Sequence, residues 1–302
     1  MKTTTKFETF KPLSLTETYE LGALLGSGAF GNVRAATRIG TQNRVAVKQI
    51  VRGAEETAKL MNIRREVGAL KALRGHPNIS QLVDYFEEGD TASLVMNLAE
   101  HGNLYDFACK HKIMSEDVVK QVARQLLQAV AYCHEKNIVH RDIKPDNILI
   151  SDIDGTKLTV ELADFGLATD TIHPLKRTCG TPIYMAPEML EFAMYGKAVD
   201  IWSLGATIYF LLTKQLPQYG SVSKLCFDHL SVEAKQFILK MLQVDPAKRS
   251  SAMELLCDPW LTSQCELLIV KATNNFEKNE SMTKSLTKSD LDMKNEADCS
   301  EL

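Results

Sequence analysis

The hydrophobic pattern of this chain predicts an α+β fold in two unequal parts: a small β-sheet unit with one main helix, then a larger, mainly α-helical unit. Three observations predict it. Residues 19 to 50 and 81 to 99 show strand-like apolar runs separated by turn formers. Residues 55 to 73, between them, switch to the three-and-four spacing of an amphipathic helix. Beyond the stretch Asn97 to Asn103, long helical patterns take over.

In chain order, "YELGALLG", "GNVRAATRI" and "RVAVKQI" read as strands, with turns expected at Gly26 to Gly28 and at Gly40 to Asn43. "AKLMNIRREVGALKAL" reads as the helix, and "HPNIS" breaks it. "QLVDYFEE" and "ASLVMNLA" add two strands. "SEDVVKQVARQLLQAVAYCHEKN" is a long amphipathic helix with Ser115 as its N-cap. "ILI" at 148 to 150 opens a hairpin with a turn at Asp154–Gly155. "AVDIWSLGATIYFLLT" is almost wholly apolar, which predicts a buried helix. "SVEAKQFILKMLQ" and "SAMELLCDPWL" are two further helices, each opened by a capping serine. Residues 1–18 read as an N-terminal extension, and the polar stretch 262–302, with few aromatics, as a disordered tail. No internal repeat is visible.

The 302 residues are 45% hydrophobic and 24% charged, an ordinary globular balance. A formal net charge of -3 gives no global basic field, so neither nucleic acid nor an anionic membrane is an expected partner. No apolar run reaches the ~20 residues that span a bilayer. The first twenty residues have no apolar core of a signal peptide. The seven cysteines are scattered and form no CxxC pair, which suits reduced thiols in an intracellular protein, in cytoplasm or nucleus.

Four stretches carry chemistry. "LGSGAFGNV" has the G-x-G-x-x-G spacing at Gly26, Gly28 and Gly31, where a backbone without Cβ can approach a phosphate. Alone, the spacing fits a simple turn equally well. Strand-like residues on both sides suit a hairpin lid rather than a strand-to-helix dinucleotide loop. Lys48 ends the apolar "VAVK"; it is either a strand-end lysine reaching water or the partner of Glu66 on the helix. "HRDIKPDNILI" crowds Arg141, Asp142, Lys144, Asp146 and Asn147 into one loop before a strand. Asp142 suits a proton acceptor for a hydroxyl, Lys144 a phosphate neutraliser and Asn147 a metal ligand; the alternative is a solvated polar loop. Asp164 in "ADFGLA" is a lone acid among apolar neighbours and needs a cation, which magnesium with nucleotide phosphates supplies.

"GSGAFGNV", "VAVK", Glu66, "HRDIKPDN", "DFG", "APE" and "DIWSLG" together resemble, in order and spacing, the eukaryotic protein kinases over residues 19–261. "HRDIKPDN" with Lys144 is similar to the serine/threonine class. "ELLCDPWL" and "VDPAKRSS" resemble the calcium/calmodulin-dependent group. The resemblance implies the two-lobed protein kinase fold, with an N-lobe over 19–96, a hinge over 97–103 and a C-lobe over 104–261. It implies a monomeric phosphotransferase that uses ATP and Mg2+ on Ser/Thr hydroxyls of protein substrates, in intracellular signalling or cell-cycle control.

The resemblance also implies roles. Gly26, Ser27, Gly28, Ala29, Phe30, Gly31 and Asn32 would cover the phosphates. Leu25, Val33, Ala46 and Leu149 would sandwich adenine, with Met96 as gatekeeper and Asn97, Leu98 and Ala99 as the hinge that reads the adenine edge. Lys48, oriented by Glu66, would hold the α- and β-phosphates. Asp142 would act as base, with Lys144 and Thr181 beside it, and Asn147 and Asp164 would ligate magnesium. Glu188 would pair with Arg249.

Some positions depart from the pattern. Arg177 stands where an activating phosphosite is usual, leaving Thr178 and Thr171 as displaced alternatives and putting activation by loop phosphorylation in doubt. Asn97 and Asn103 stand where acids are common. Residues between Pro217 and Leu230 are fewer than the family leads one to expect, which predicts a turn in place of a docking helix. Asp146, Asp106 and Glu100 suit either a basic substrate or a solvated face. Two readings compete with the kinase. A pseudokinase scaffold usually lacks one of Lys48, Asp142, Asn147 and Asp164, and all four are present. A small-metabolite kinase has no use for the "APE" segment.

Overall fold

The computed structural model describes residues 13–28, 31–51, 56–111, 113–171, 175–176, 178–217 and 222–262. The readings made for Ala29, Phe30, Arg177 and the tail from residue 263 lie outside the described residues, as do residues 1–12. The chain divides into residues 1–256 and residues 257–302.

In the first of these, α1 (Leu15–Thr18) is one turn closed by a capping box. Ser14 Oγ accepts the Glu17 N–H at 3.2 Å, and Glu17 Oε2 accepts the Ser14 N–H at 2.7 Å. There follow β1 (Tyr19–Gly28), β2 (Gly31–Arg38), β3 (Arg44–Val51), α2 (Glu56–Ala72), β4 (Leu82–Glu88) and β5 (Thr91–Asn97). The strands form one antiparallel sheet in the order β1-β2-β3-β5-β4. Period-two alternation sorts β3 cleanly. Val45 and Val47 join Leu15, Tyr19, Ala36 and Val95 in a core cluster, and Ala46 and Lys48 point to the opposite face. Leu15, inside the stretch read as an extension, is thus a core residue at 2% exposure.

The turn expected at Gly26 to Gly28 does not form there. Pairing continues through Gly26↔Val33, Ser27↔Asn32 and Gly28↔Gly31. Gly31 serves a close backbone approach: it has φ 113°, and a Cβ on it would lie 2.2 Å from the Gln49 carbonyl oxygen. On α2 the buried positions Ile63, Glu66, Val67 and Leu70 form one helical stripe, continued by Leu73 just past its end, and Glu66 is the charge within it.

The larger part begins with α3 (Leu104–Lys110), capped by Asn103, whose Oδ1 accepts the Asp106 N–H at 2.7 Å. It continues through α4 (Glu116–Glu135), β6 (Ile138–Val139), β7 (Ile148–Asp154), β8 (Lys157–Leu162) and β9 (Thr169–Asp170). Then come α5 (Pro187–Leu190), α6 (Ala198–Thr213), α7 (Val232–Met241) and α8 (Ala252–Leu256). Ser115, Ser231 and Ser251 accept the N–H three residues on and so cap α4, α7 and α8. Helix α6 is buried from Val199 to Leu212 and packs between α4 and α7. α8 stops at Leu256, short of the expected 261; Pro259 has no N–H to continue a helix, and Asp258 Oδ1 accepts the Trp260 N–H at 2.9 Å in a turn. Between Pro217 and Leu230 the described residues hold one 3₁₀ turn, Val222–Lys224. Among the described residues no helix is long and apolar enough to cross a membrane.

Leu15→Ala removes a core side chain from the small sheet. We expect a loss of roughly 2–5 kcal/mol, read as a lower urea midpoint at unchanged m-value; an unchanged midpoint would show that α1 is not part of this core.

Candidate functional site

The loop 140–147 is held from beneath by one acid of α6. Asp200, 1% exposed, accepts the backbone N–H of His140 (2.9 Å) and of Arg141 (2.8 Å), and it bonds His134 Nε2 at 2.9 Å. Burial pushes this carboxyl up, but the His134 bond, the two histidines and the Arg141 N–H outweigh it and hold it below the usual carboxylate range. His140 carries the linkage on: its Nδ1 accepts the Asp142 N–H at 3.3 Å and its Nε2 donates to the Ala163 carbonyl at 2.9 Å. Arg141 and Asp164 both have positive φ, 70° and 58°. Such strain costs about 1–3 kcal/mol per residue and persists only where the surroundings impose it.

Lys48 Nζ lies 2.7 Å from Glu66 Oε1 and 2.8 Å from Asp164 Oδ1. Strand β3, helix α2 and the 3₁₀ turn Phe165–Leu167 that Asp164 opens therefore meet on one ammonium. Burial lowers the Lys48 pKa, but Glu66 and Asp164 together raise it above the usual value. Asp164 is pushed up by burial and pulled lower by Lys48, with the net shift downward. Glu66 is raised by its burial, which Lys48 offsets only in part.

Asp142 is surrounded by donors. Its Oδ1 accepts the Thr181 N–H and the Thr181 hydroxyl, each at 2.8 Å. Its Oδ2 accepts Asn147 Nδ2 at 3.0 Å and lies 3.2 Å from Lys144 Nζ. Lys144 also donates to Thr181 Oγ1 at 2.7 Å. The carboxylate is thus already presented to a hydroxyl with an ammonium alongside. Gly180 makes the approach possible: at φ 101°, a Cβ there would lie 2.4 Å from the Arg141 carbonyl oxygen. Asn147 Nδ2 donates as well to the Asp142 carbonyl at 2.8 Å, which turns its Oδ1 away from Asp142. Asn147 Oδ1 and the Asp164 carboxylate are hard oxygen donors of the kind that hold Mg2+, which takes one or two protein ligands and completes its shell with phosphate and water. The residues present fit that ion.

The sheet arranges the remaining positions. Ala46 pairs with Met96, Val33 pairs with both Gly26 and Lys48, and Leu149 bridges Asn103. Leu25 sits at a register shift between Leu24 and Gly26 and is 52% exposed. Asn97 donates its N–H to the Gln81 carbonyl at 3.2 Å, and Leu98 and Ala99 have no backbone partner among the described residues. Of the three acids near the loop, Glu100 pairs with Arg44 at 2.8 Å and Asp106 accepts Asn103 Nδ2 at 3.0 Å.

The segment beyond Asp164 is pinned at several points. Leu175 and Tyr195 exchange both main-chain bonds (3.0 and 2.9 Å), and the Thr178 hydroxyl donates to the Met189 carbonyl at 2.8 Å. Arg249 grips Glu188 with two bonds of 2.7 and 3.0 Å, reaches the carbonyls of Ala198 and Gln243, and lies over the Trp202 ring. A separate open cleft of about 840 Å³, walled by residues including Tyr132, His134, Met253 and Leu256, contains none of the loop residues.

Sequence reasoning missed His140, Asp200 and Tyr195 as supports. Asp200 carried a signal, since a lone acid in an otherwise apolar helix must be partnered, as was argued for Asp164.

A protein-family description, "Protein kinase domain", matches residues 19–261. A probable myosin light chain kinase of Dictyostelium discoideum is 36% identical over 261 residues, covering 81% of this chain and 74% of its own length. A calcium/calmodulin-dependent protein kinase of Emericella nidulans is 36% identical over 265 residues, covering 80% and 65%. An SNF1-related protein kinase catalytic subunit alpha of Arabidopsis thaliana is 32% identical over 275 residues, covering 86% and 55%.

Because folding depresses the Asp200 pKa, its stabilisation is complete above the unfolded value near ~3.9 and is lost as pH falls through the lower folded value. Asp200→Asn should cost roughly 1–3 kcal/mol at pH 7 and flatten the acid limb of stability below about pH 4, both measured by urea unfolding across pH. An acid limb as steep as that of the native chain would contradict the assignment.

Proposed function

The chain belongs to the protein kinase family and is an ATP-dependent protein serine/threonine kinase, and on that premise we propose that Lys48, Asp142, Asn147 and Asp164 carry its reaction. The observation that supports this most is the single ammonium of Lys48 held between Glu66 and Asp164 at 2.7 and 2.8 Å. In this reading the kinase domain spans 19–261, with α1 packed on its small sheet. Lys48 faces the nucleotide phosphates, and Glu66 keeps it in place. Gly26, Ser27, Gly28, Gly31 and Asn32 close over those phosphates from the β1–β2 hairpin. Leu25, Val33, Ala46 and Leu149 line the base, Met96 borders it, and the backbone groups of Asn97, Leu98 and Ala99 read its edge.

Asp142 takes the acceptor hydroxyl and its proton, as it already takes the Thr181 hydroxyl. Lys144 neutralises charge on the transferred group, and Thr181 holds Asp142 and Lys144 in register. Asn147 Oδ1 and Asp164 would hold Mg2+, which would neutralise phosphate charge when bound. The barrier falls chiefly through alignment and fixed charge, since a loose phosphoryl transition state asks little covalent chemistry of the protein. The acceptors are Ser/Thr hydroxyls of protein substrates; the protein acts as an intracellular monomer and engages neither nucleic acid nor membrane.

Asp142→Asn should lower transfer to a Ser/Thr peptide library by about 10²–10⁴-fold while ATP affinity stays within about twofold. Lys48→Met should lower kcat/KM by roughly 10²-fold or more. Both are read by radiolabel transfer and by titration with a fluorescent ATP analogue. Full turnover in Asp142→Asn would overturn its role as base, and an unaffected Lys48→Met would remove the phosphate contact.

A further inference from the structure

The guanidinium beside Asp142 has no part in the mechanism so far, yet it is buried and held by two separate parts of the chain. Arg141 is 8% exposed, so its charge must be met within the protein. Among the described residues its side-chain acceptors are both neutral: the Leu167 carbonyl at 2.7 Å from Nε and the Tyr195 hydroxyl at 3.2 Å from Nη1. Leu167 closes the 3₁₀ turn that Asp164 opens. Tyr195 is 5% exposed, and its main chain is doubly bonded to Leu175. The loop carrying Asp142, the turn carrying Asp164 and the far end of the following segment therefore converge on one planar donor fork. The threonine hydroxyls that follow Asp164 are also committed. Thr171 donates to the Asn137 carbonyl at 3.2 Å, and Thr178 donates to that of Met189 at 2.8 Å.

We propose that Tyr195 is a positioning residue for phosphoryl transfer: its hydroxyl fixes the Arg141 guanidinium, and through it the placement of Asp142 against Asp164, so that the site assembles without a phosphate on Thr171 or Thr178. The proposal rests on the kinase reading of those two acids. Uncharged acceptors inside the chain do the work that an added anion would otherwise do at this cation. A phosphate on Thr178 would forfeit its bond to Met189 and pull the segment away from its seat.

Two measurements on the full chain test this. In the first, the protein is treated with a broad-specificity phosphatase until its intact mass shows no phosphate. The phosphatase is then removed and initial transfer rates are compared with the untreated protein, with the mass checked again after the assay. Rates within about twofold, less than half of the 1.36 kcal/mol that a tenfold change represents, are expected, and any larger loss overturns the proposal. In the second, Tyr195→Phe should lower the rate per nucleotide-binding site about tenfold, with sites counted by titration with a fluorescent ATP analogue and its affinity unchanged. A merely structural role would reduce the number of sites and leave the rate per site alone. In an Arg141→Gln background the same change should cost no more than about twofold, and a full additional loss there overturns the coupling. Should Tyr195→Phe not fold, Arg141→Lys, which keeps the charge but not the fork, should show the same tenfold loss per site, and an unchanged rate overturns the proposal. Transfer that disappears only after phosphatase sinks this inference alone; absence of transfer in every sample sinks the kinase reading with it.

Discussion

One ammonium organises the small sheet and the turn after β8. Lys48 is 5% exposed, and an isolated charge at that depth is untenable, so the fold must bring carboxylates to it. Glu66 comes from an otherwise apolar helix stripe, and Asp164 comes from a turn 116 residues beyond Lys48 along the chain. Neither acid would tolerate its surroundings without the lysine. The three groups are therefore mutually supporting: α2 presents Glu66, and the left-handed backbone of Asp164 presents its carboxylate, to one cation. The residual negative charge, two carboxylates against one ammonium, makes the site receptive to a further cation.

A second constraint comes from below. The loop with Asp142 has little regular structure of its own, a single 3₁₀ turn, and borrows rigidity from α6 through Asp200. A helix buried on nearly every side is a poor place for a charge but a good place for a fixed reference, because it cannot shift without disturbing α4 and α7. Histidines on either side complete the link, His134 to the acid and His140 onward to Ala163, next to Asp164. Positive φ at Arg141 and Asp164 is tolerable where hydrogen bonds from several elements determine the backbone.

Much of this was legible in the residues. The strands, α2 and α4 announced themselves through period, because burial of one face imposes a pattern that survives in composition; α4 and α7 did so also through capping serines, and α6 through its almost wholly apolar run. The charged loop was legible for the opposite reason: polar groups crowded before a core strand need a use. Less legible were α1, where a single turn offers no period, and α8, where a helical pattern continued past the point at which Pro259 removes a donor. The glycines of the β1–β2 hairpin were misplaced as a turn, because close backbone approach and sharp reversal ask for the same residue. Arg141 gave no hint of its partners, since Leu167 contributes a carbonyl, which no side-chain identity encodes, and Tyr195 a hydroxyl far along the chain. The fate of the acids was likewise open: Glu100 is engaged with Arg44 and Asp106 with Asn103, which a count of charges cannot reveal.

The burial of α6 bears on how the polypeptide reaches its folded state. Its run from Ile201 to Leu212 is covered by α4, which precedes it, and by α7, which ends only at Met241. During synthesis from the N-terminus, nine apolar side chains are made well before their second cover exists. The emerging chain thus passes through a stage in which its most hydrophobic helix is half-clothed, and its yield in a cell depends on shielding during that interval as much as on the stability of the finished molecule.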